Sequence, residues 1–394
     1  MNNCPNQFPG APYKRRGFSL VELMIAITLG LLLTAGMIQL FNSSKVTFRT
    51  NDAVARVQEN GRFALEMLKL QLREAGTLGF CAGQVPITNH LSTGGSGGDD
   101  DFFNPEFAVV GWEYTGTGPG QNFTLPDNLD PATASASDWN SQANSAALPS
   151  QLSGRVVPGS DVLVVRRLVV VDGFTGDKDA ANSLIDPEIT ITENSGLPIG
   201  SILMVTECSS ADLFQNCSSF NVKKLSAGCS TLNPGNSFAD WSTSYSQAMQ
   251  TFAVEQIAYY IGMNATTGQS GLYRWDMSQG SAPSAGEEII EGAENMQLLY
   301  GFSRAAPQGD GQSVRGGDWV TAGQMPANAA GDFGWPQVIA LRLALSVRSA
   351  ETADGDNTDI TLDLAGSNIT VPGDGRIRQP FTATVALRNR ILVD

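Results

Sequence analysis

An unbroken apolar run comes first in the hydrophobic pattern. From Phe18 to Phe41 nearly every position is apolar, and Glu22 is the one charge between Phe18 and Ser44. As a helix these 24 residues extend about 36 Å at 1.5 Å each, enough to cross a hydrocarbon core of about 30 Å. The pattern then changes. Val46, Val54, Val57, Gly61, Leu65, Leu68 and Leu72 recur mostly at threes and fours, with Arg56, Glu59, Arg62, Glu66, Lys69 and Arg73 between them. That predicts a continuing amphipathic helix with one narrow apolar face, packed on a globular part and stopped by Gly76 and Gly79. Gly30, Gly36 and Gly61 are expected soft spots within it.

Farther on, period two replaces the helical period. Between Glu74 and Gly154 there is no Lys or Arg, and the stretch is rich in Gly, Ser, Asn and Pro. It reads as long loops with strand fragments such as Phe107–Tyr114, and Asp99, Asp100 and Asp101 as a solvated tip. Asp161–Asp172 is apolar on both faces apart from Arg166 and Arg167, as in a central strand. Ile202–Thr206 and Phe252–Ile261 are further strands. Val338–Arg348 alternates cleanly, and Ile360, Leu362 and Leu364 make a smaller strand. At the end Phe381, Ala383, Val385, Leu387, Ile391 and Val393 face inward, with Thr382, Thr384, Arg388 and Arg390 outward. The expected fold class is α+β: a long N-terminal helix laid on a large antiparallel-rich sheet with long loops.

Composition narrows the chemistry. The net charge is −15, so nucleic acid is not an expected partner, because no surplus of cations exists to displace phosphate counterions. The single histidine, His90, leaves little material for a Ser/His/Asp triad or a multi-His metal site. No nucleophile with a matching base, phosphate loop or cofactor motif stands out, so neither an enzyme nor a cofactor is expected.

Ahead of the apolar run lies Lys14-Arg15-Arg16-Gly17. The positive-inside rule keeps the cations cytoplasmic and sends the rest of the chain across the membrane. A cleavable secretory signal would have a shorter apolar stretch followed by its small-residue site, whereas Gly17 precedes the stretch. Glu22 is costly inside a membrane and calls for a partner. Together, Lys-Arg-Arg-Gly followed by Phe18-Ser-Leu-Val-Glu22-Leu-Met-Ile-Ala resembles the class III signal of type IV prepilins. The resemblance implies that a prepilin peptidase cuts between Gly17 and Phe18 and methylates the new amino terminus. It further implies that Glu22 neutralises the Phe18 amine of a neighbouring subunit. Residues 1–17 would then be leader, 18–41 transmembrane and filament-core helix, 42–76 its amphipathic half, and 77–394 a periplasmic β-rich head.

Three head segments resemble the PilW branch of the minor pilins: Gly159-Ser-Asp-Val-Leu-Val-Val-Arg166, Glu288 to Gly301, and Arg378 to Arg390. The implied role is a minor pilin of a type IV pilus in a Gram-negative bacterium. It would be held in the inner membrane by one span and later carried on the surface pilus. It would help initiate assembly in a tip or priming complex. Implied partners are other minor pilins, the major pilin, the prepilin peptidase, the inner-membrane assembly machinery and a tip adhesin. The alternatives are a J-like minor pseudopilin of type II secretion, which Asn295–Gly301, Trp319 and Trp335-Pro336 also resemble, and a membrane-anchored glycan-binding adhesin. The polar Cys208–Cys229 insert is not explained by the family.

Cys4 lies in the leader, leaving Cys81, Cys208, Cys217 and Cys229 for an oxidising compartment. Four cysteines allow three pairings. Cys81–Cys208 with Cys217–Cys229 is favoured, because the second pair closes a local Ser- and Asn-rich loop; a zinc site lacks the usual ligand spacing. Asp354, Asp356 and Asp359 form a weak calcium candidate without the EF-hand spacing, and a charged hairpin turn is the plainer reading. The six tryptophans could bind sugar, although anchoring core and loops is their commoner role.

Overall fold

The computed structural model describes residues 17–76, 85–92, 107–141, 147–149, 151–171, 184–194, 196–219, 221–232, 234–278, 286–302, 319–325, 334–353 and 357–387. The chain forms two compact units, Met1–Asp52 and Ala53–Asp394, and a single helix, Leu20–Glu74, belongs to both.

In the first unit every side chain from Leu20 to Arg49 is exposed. The hydroxyls there turn back on their own helix: Thr28 Oγ1 donates to the Ile25 carbonyl at 2.9 Å and Thr34 Oγ1 to the Gly30 carbonyl at 2.8 Å. No side-chain donor in this pair needs water, which suits an apolar surrounding.

In the second unit the helix buries Val57, Gly61, Ala64, Leu65, Leu68 and Leu72. The buried stripe is thus shorter than the sequence suggested, because Val46 is exposed, and it gains Ala64. Gly61 is not a soft spot. A Cβ at this position would lie 2.2 Å from the Phe381 ring, so glycine is what lets the helix approach the strand beneath it. The helix ends as expected at Gly76, whose φ of 71° caps it in the left-handed region. The Gly76 N–H donates to the Arg166 carbonyl at 2.9 Å. Arg167 bridges Glu74 of the last turn and Glu255 of a neighbouring strand.

The larger sheet has nine strands, built around Gln250–Met263. This strand pairs antiparallel with Val162–Val170, Ile202–Thr206 and Ser270–Asp276. Val162–Val170 pairs in turn with Val109–Tyr114, which carries the short Trp139–Asn140. At the other edge Ala211–Gln215 pairs with Ile202–Thr206 and, in parallel, with Ile87–Asn89. A second, four-stranded sheet runs in the order Trp319–Val320, Ala293–Phe302, Val338–Arg348, Arg378–Ala386. The hairpin Ile360–Leu364 and Ser367–Val371 turns through Ala365 and Gly366, both at positive φ, and receives Asn122–Thr124 in parallel.

Two hydrophobic cores result. Ile202 and Met204 join the main core with the helix stripe, while Leu203 and Val205 join a second one with Phe214, Leu225, Trp241 and Tyr245. Successive strand residues point to opposite faces, so this strand is buried on both. The Cys208–Cys229 insert thereby acquires a physical purpose. It supplies Phe214, Leu225 and Ala227 to the second core on the back of the sheet.

Candidate functional site

The N-terminal segment is placed with its chemistry open to contact. Gly17, Phe18 and Ser19 precede the helix, and Phe18 is 83% exposed. A Cβ built on Gly17 meets nothing within 4 Å, so nothing among the described residues selects glycine there. Glu22 lies in the first helical turn, where a carboxylate complements the unpaired N–H groups and the positive end of the helix dipole. The first main-chain bond, from Leu23 N–H to the Ser19 carbonyl at 3.0 Å, starts the helix just behind Phe18. Lys14, Arg15 and Arg16 lie outside the described residues. Nearer the head the exposed helix face carries Phe63 and Leu70, seven residues apart and each 55% exposed.

The three segments that resemble PilW meet in space. Gly159, at φ 83°, has its carbonyl bonded by Asn295 Nδ2 at 2.6 Å and Gln297 Nε2 at 2.8 Å. Ser160 Oγ accepts from Met296 N–H, and Asp161 takes the Leu298 N–H at 2.9 Å and the Tyr114 N–H at 3.1 Å. Burial, reinforced by the nearby Glu113 charge, pushes the Asp161 carboxyl well up. Burial likewise pushes up the Tyr300 hydroxyl. These groups stitch the two large sheets together at a turn.

The third segment joins through charge. Glu294 is 1% exposed and receives a bidentate pair from Arg378, at 2.9 Å and 3.1 Å, plus Arg348 Nη1 at 3.0 Å. Arg378 also grips Asp374 at 2.6 Å and 3.0 Å. Burial opposes the Asp374 charge, but the bonds from Arg378 and Arg376 hold its carboxyl below the usual range. Gln269 Oε1 accepts from both Arg348 and Arg376. Sequence reading missed this cluster, whose members are 54 and 84 residues apart.

His90 also has an architectural setting. Its Nε2 is 2.5 Å from Asp212 Oδ1, and Ser242 and Tyr245 donate hydroxyls to the same carboxylate. Burial works against the Asp212 charge, while these bonds bring its pKa below the usual value. The carboxylate stands between histidine and serine, the wrong order for passing a proton from serine to histidine.

Cys217 and Cys229 form a disulfide with Cα atoms 5.9 Å apart. Cys208 is disulfide-bonded, and Cys81 lies outside the described residues, as does Cys4. Asp354 and Asp356 are outside them too. Asp359 accepts the Gly373 N–H at 3.0 Å, and among the described residues no group of three His, Cys, Asp or Glu is placed to hold a metal. Trp112, Trp139, Trp241, Trp275 and Trp335 are buried. Trp319 is half-buried beneath the Arg342 guanidinium, 4.5 Å from its ring centre. A tryptophan platform for sugar is therefore not presented.

Two family models match. One, described as Prokaryotic N-terminal methylation motif, covers residues 12–38; the other, Type IV Pilus-assembly protein W, covers residues 258–389. Together the two matches support a type IV pilus minor pilin of the PilW family. The second match contains Glu294, Arg348, Asp374 and Arg378, so the buried charge cluster belongs to the part that the family model describes. As a minor pilin the chain is anchored in the inner membrane by one span, carries a head domain and associates with the pilus. The family implies interaction with other pilins and with the prepilin peptidase. No curated protein matches the chain. Among solved structures it is similar to a type IV-like pilin, TTHA1219 from Thermus thermophilus, at 19% identity and a TM-score of 0.23, covering 36% of this chain and 70% of that one.

Proposed function

We propose that the prepilin peptidase cuts between Gly17 and Phe18, and that the mature chain then primes pilus assembly within a complex of minor pilins that carries a tip adhesin. Its role is structural. Glu22 carries the reading: it is the one charge in the apolar stretch from Phe18 to Ser44, four residues from the amine that cutting would release. In a filament core made of such helices an unpaired charge is expensive, and a neighbouring Phe18 amine is the matching partner. Gly17 supports the cut site, because nothing among the described residues selects glycine there.

Glu22→Ala separates assembly from anchoring. The variant should be inserted and cut normally, since its helix only becomes more apolar. It should fail to enter sheared pili, and pilus number should fall more than pilus length, because a priming subunit is needed in few copies per fibre. Normal incorporation and normal pilus number would remove the assembly role from Glu22.

A further inference from the structure

A cleft of about 420 Å³ opens beside the end of the strand Val109–Tyr114, within the size range of small-molecule sites. Its lining is unusual in kind. Glu113, Thr115, Gln121, Asn140, Ser141 and Gln324 face it, together with two glycines, and among the described residues no apolar side chain takes part. The main-chain pairing Glu113↔Asn140 sets a carboxylate and a carboxamide next to each other across two strands.

The polar groups are held in place. Asn140 Nδ2 donates to Thr115 Oγ1 at 2.8 Å, and the Thr115 hydroxyl donates to the Asp138 carbonyl at 2.8 Å. Gln121 Oε1 accepts the Gly118 N–H at 2.8 Å. The Gln121 amide and the Asn140 carbonyl oxygen are thereby turned over to other partners. Around Glu113, a Cβ on Gly118 would come within 2.8 Å of one carboxylate oxygen and a Cβ on Gly323 within 2.9 Å of the other. Glycine at both positions makes room for the half-buried carboxylate. Burial shifts its pKa upward.

The lining decides the ligand by exclusion. With no Lys, Arg or His among the described lining residues, a phosphate, sulfate or carboxylate has no counter-charge from them. With no apolar side chain among the described lining residues, a lipid chain or an apolar peptide gains nothing from them by entering. One carboxylate is too few hard ligands for a divalent cation. Alternating donors and acceptors on short, fixed side chains suit a molecule bearing many neutral hydroxyls. We propose that this cleft is a binding site for a neutral saccharide, with Glu113 accepting from ligand hydroxyls and the carboxamides of Asn140 and Gln121 completing the pattern. The inference is independent of where the subunit sits in the pilus. It puts sugar recognition in amides and a carboxylate rather than in the tryptophans.

The test uses the full mature chain in detergent on an array of neutral, sialylated, sulfated and amine-bearing oligosaccharides, the last represented by chitosan oligomers. Saturation-transfer NMR with the neutral members detects millimolar affinity. The expected result is retention of neutral oligosaccharides alone, weakened at least tenfold by Glu113→Gln and by Asn140→Ala, with unchanged unfolding midpoints. The exposed rim variant Gln324→Ala, which touches no core, should weaken binding several-fold and serves where the others lose stability. Absence of neutral ligands at millimolar concentration would overturn the proposal, as would binding indifferent to all three substitutions. Preference for the amine-bearing oligomers, abolished by salt, would also overturn it and make the cleft a cation site.

Discussion

Replacing Gly61 by alanine tests how the helix is seated on the head. The new Cβ would lie 2.2 Å from Phe381 Cε2 and 2.4 Å from Cδ2 and Cζ. Carbon pairs rest at about 3.5–4.0 Å, so the ring must retreat by roughly 1.3 Å or more. Overpacking of this kind costs about 1–3 kcal/mol. Alanine in mid-helix gives back about 1 kcal/mol relative to glycine. The single variant should therefore be neutral to about 2 kcal/mol less stable, which alone decides little. The cycle with Phe381→Ala decides. Removing the half-buried ring should cost about 2–3 kcal/mol, somewhat under the range for a fully buried Phe. In that background Gly61→Ala should turn stabilising by about 1 kcal/mol, since the vacated space accepts the methyl. The coupling should reach about 1–3 kcal/mol with the two changes compensating. Urea unfolding followed by the fluorescence of buried Trp275 and Trp335 measures all four corners. Additivity within about 0.5 kcal/mol would show that the helix is not seated on this ring.

Mass spectrometry of mature protein should find a methylated Phe18 terminus, and Gly17→Leu should leave uncut chain; an intact Met1 on assembled protein would refute the cut site. Glu294→Gln removes the carboxylate from Arg348 and leaves Arg378 with Asp374 alone, and should cost up to about 3–5 kcal/mol, seen as a shifted urea midpoint; a change under about 1 kcal/mol would contradict the cluster's role. Cys217→Ser with Cys229→Ser should destabilise the head by about 3 kcal/mol through the unfolded chain, and equal midpoints with and without the bridge would refute this. Asp212 and Asp374 have folded pKa values below their unfolded ones, so their contribution is present above about pH 4 and is lost as pH falls through the folded values. Midpoints measured from pH 5 downward should fall, and less steeply in Asp374→Asn; identical slopes would disprove the linkage.

What the sequence disclosed follows from range. Gly17, Phe18 and Glu22 are a local motif, and the alternation in Val338–Arg348 is a local period, so both are readable from neighbours along the chain. The helix end at Gly76 is legible for the same reason, because a left-handed cap is the property of one residue. Glu294 with Arg378 and His90 with Asp212 are made by folding, between residues that look like ordinary surface charges in sequence. The strand Ala293–Phe302 escaped notice because Glu294, Asn295 and Gln297 interrupt its apolar pattern. Their side chains spend that polarity on Arg378 and the Gly159 carbonyl. Gly61 was misread as a flexible point, since a glycine demanded by a neighbour and one permitting a bend are the same letter.

The parallel pairing of Asn122–Thr124 with Ser367–Val371 has a consequence for the order of events. Asn122 and Asn368 are 246 residues apart, and closing so long a loop is slow compared with local steps. During export the strands Val162–Val170, Ile202–Thr206 and Gln250–Met263 can associate while later residues are still crossing. The Asn122 strand must wait, and so must the strand Val338–Arg348, which lacks one neighbour until Arg378–Ala386 emerges. Phe381 arrives with that strand, so the ring beneath Gly61 is among the last parts to exist. The helix is synthesised first and seated last, and a subunit whose head has stalled displays the bare stripe from Val57 to Leu72.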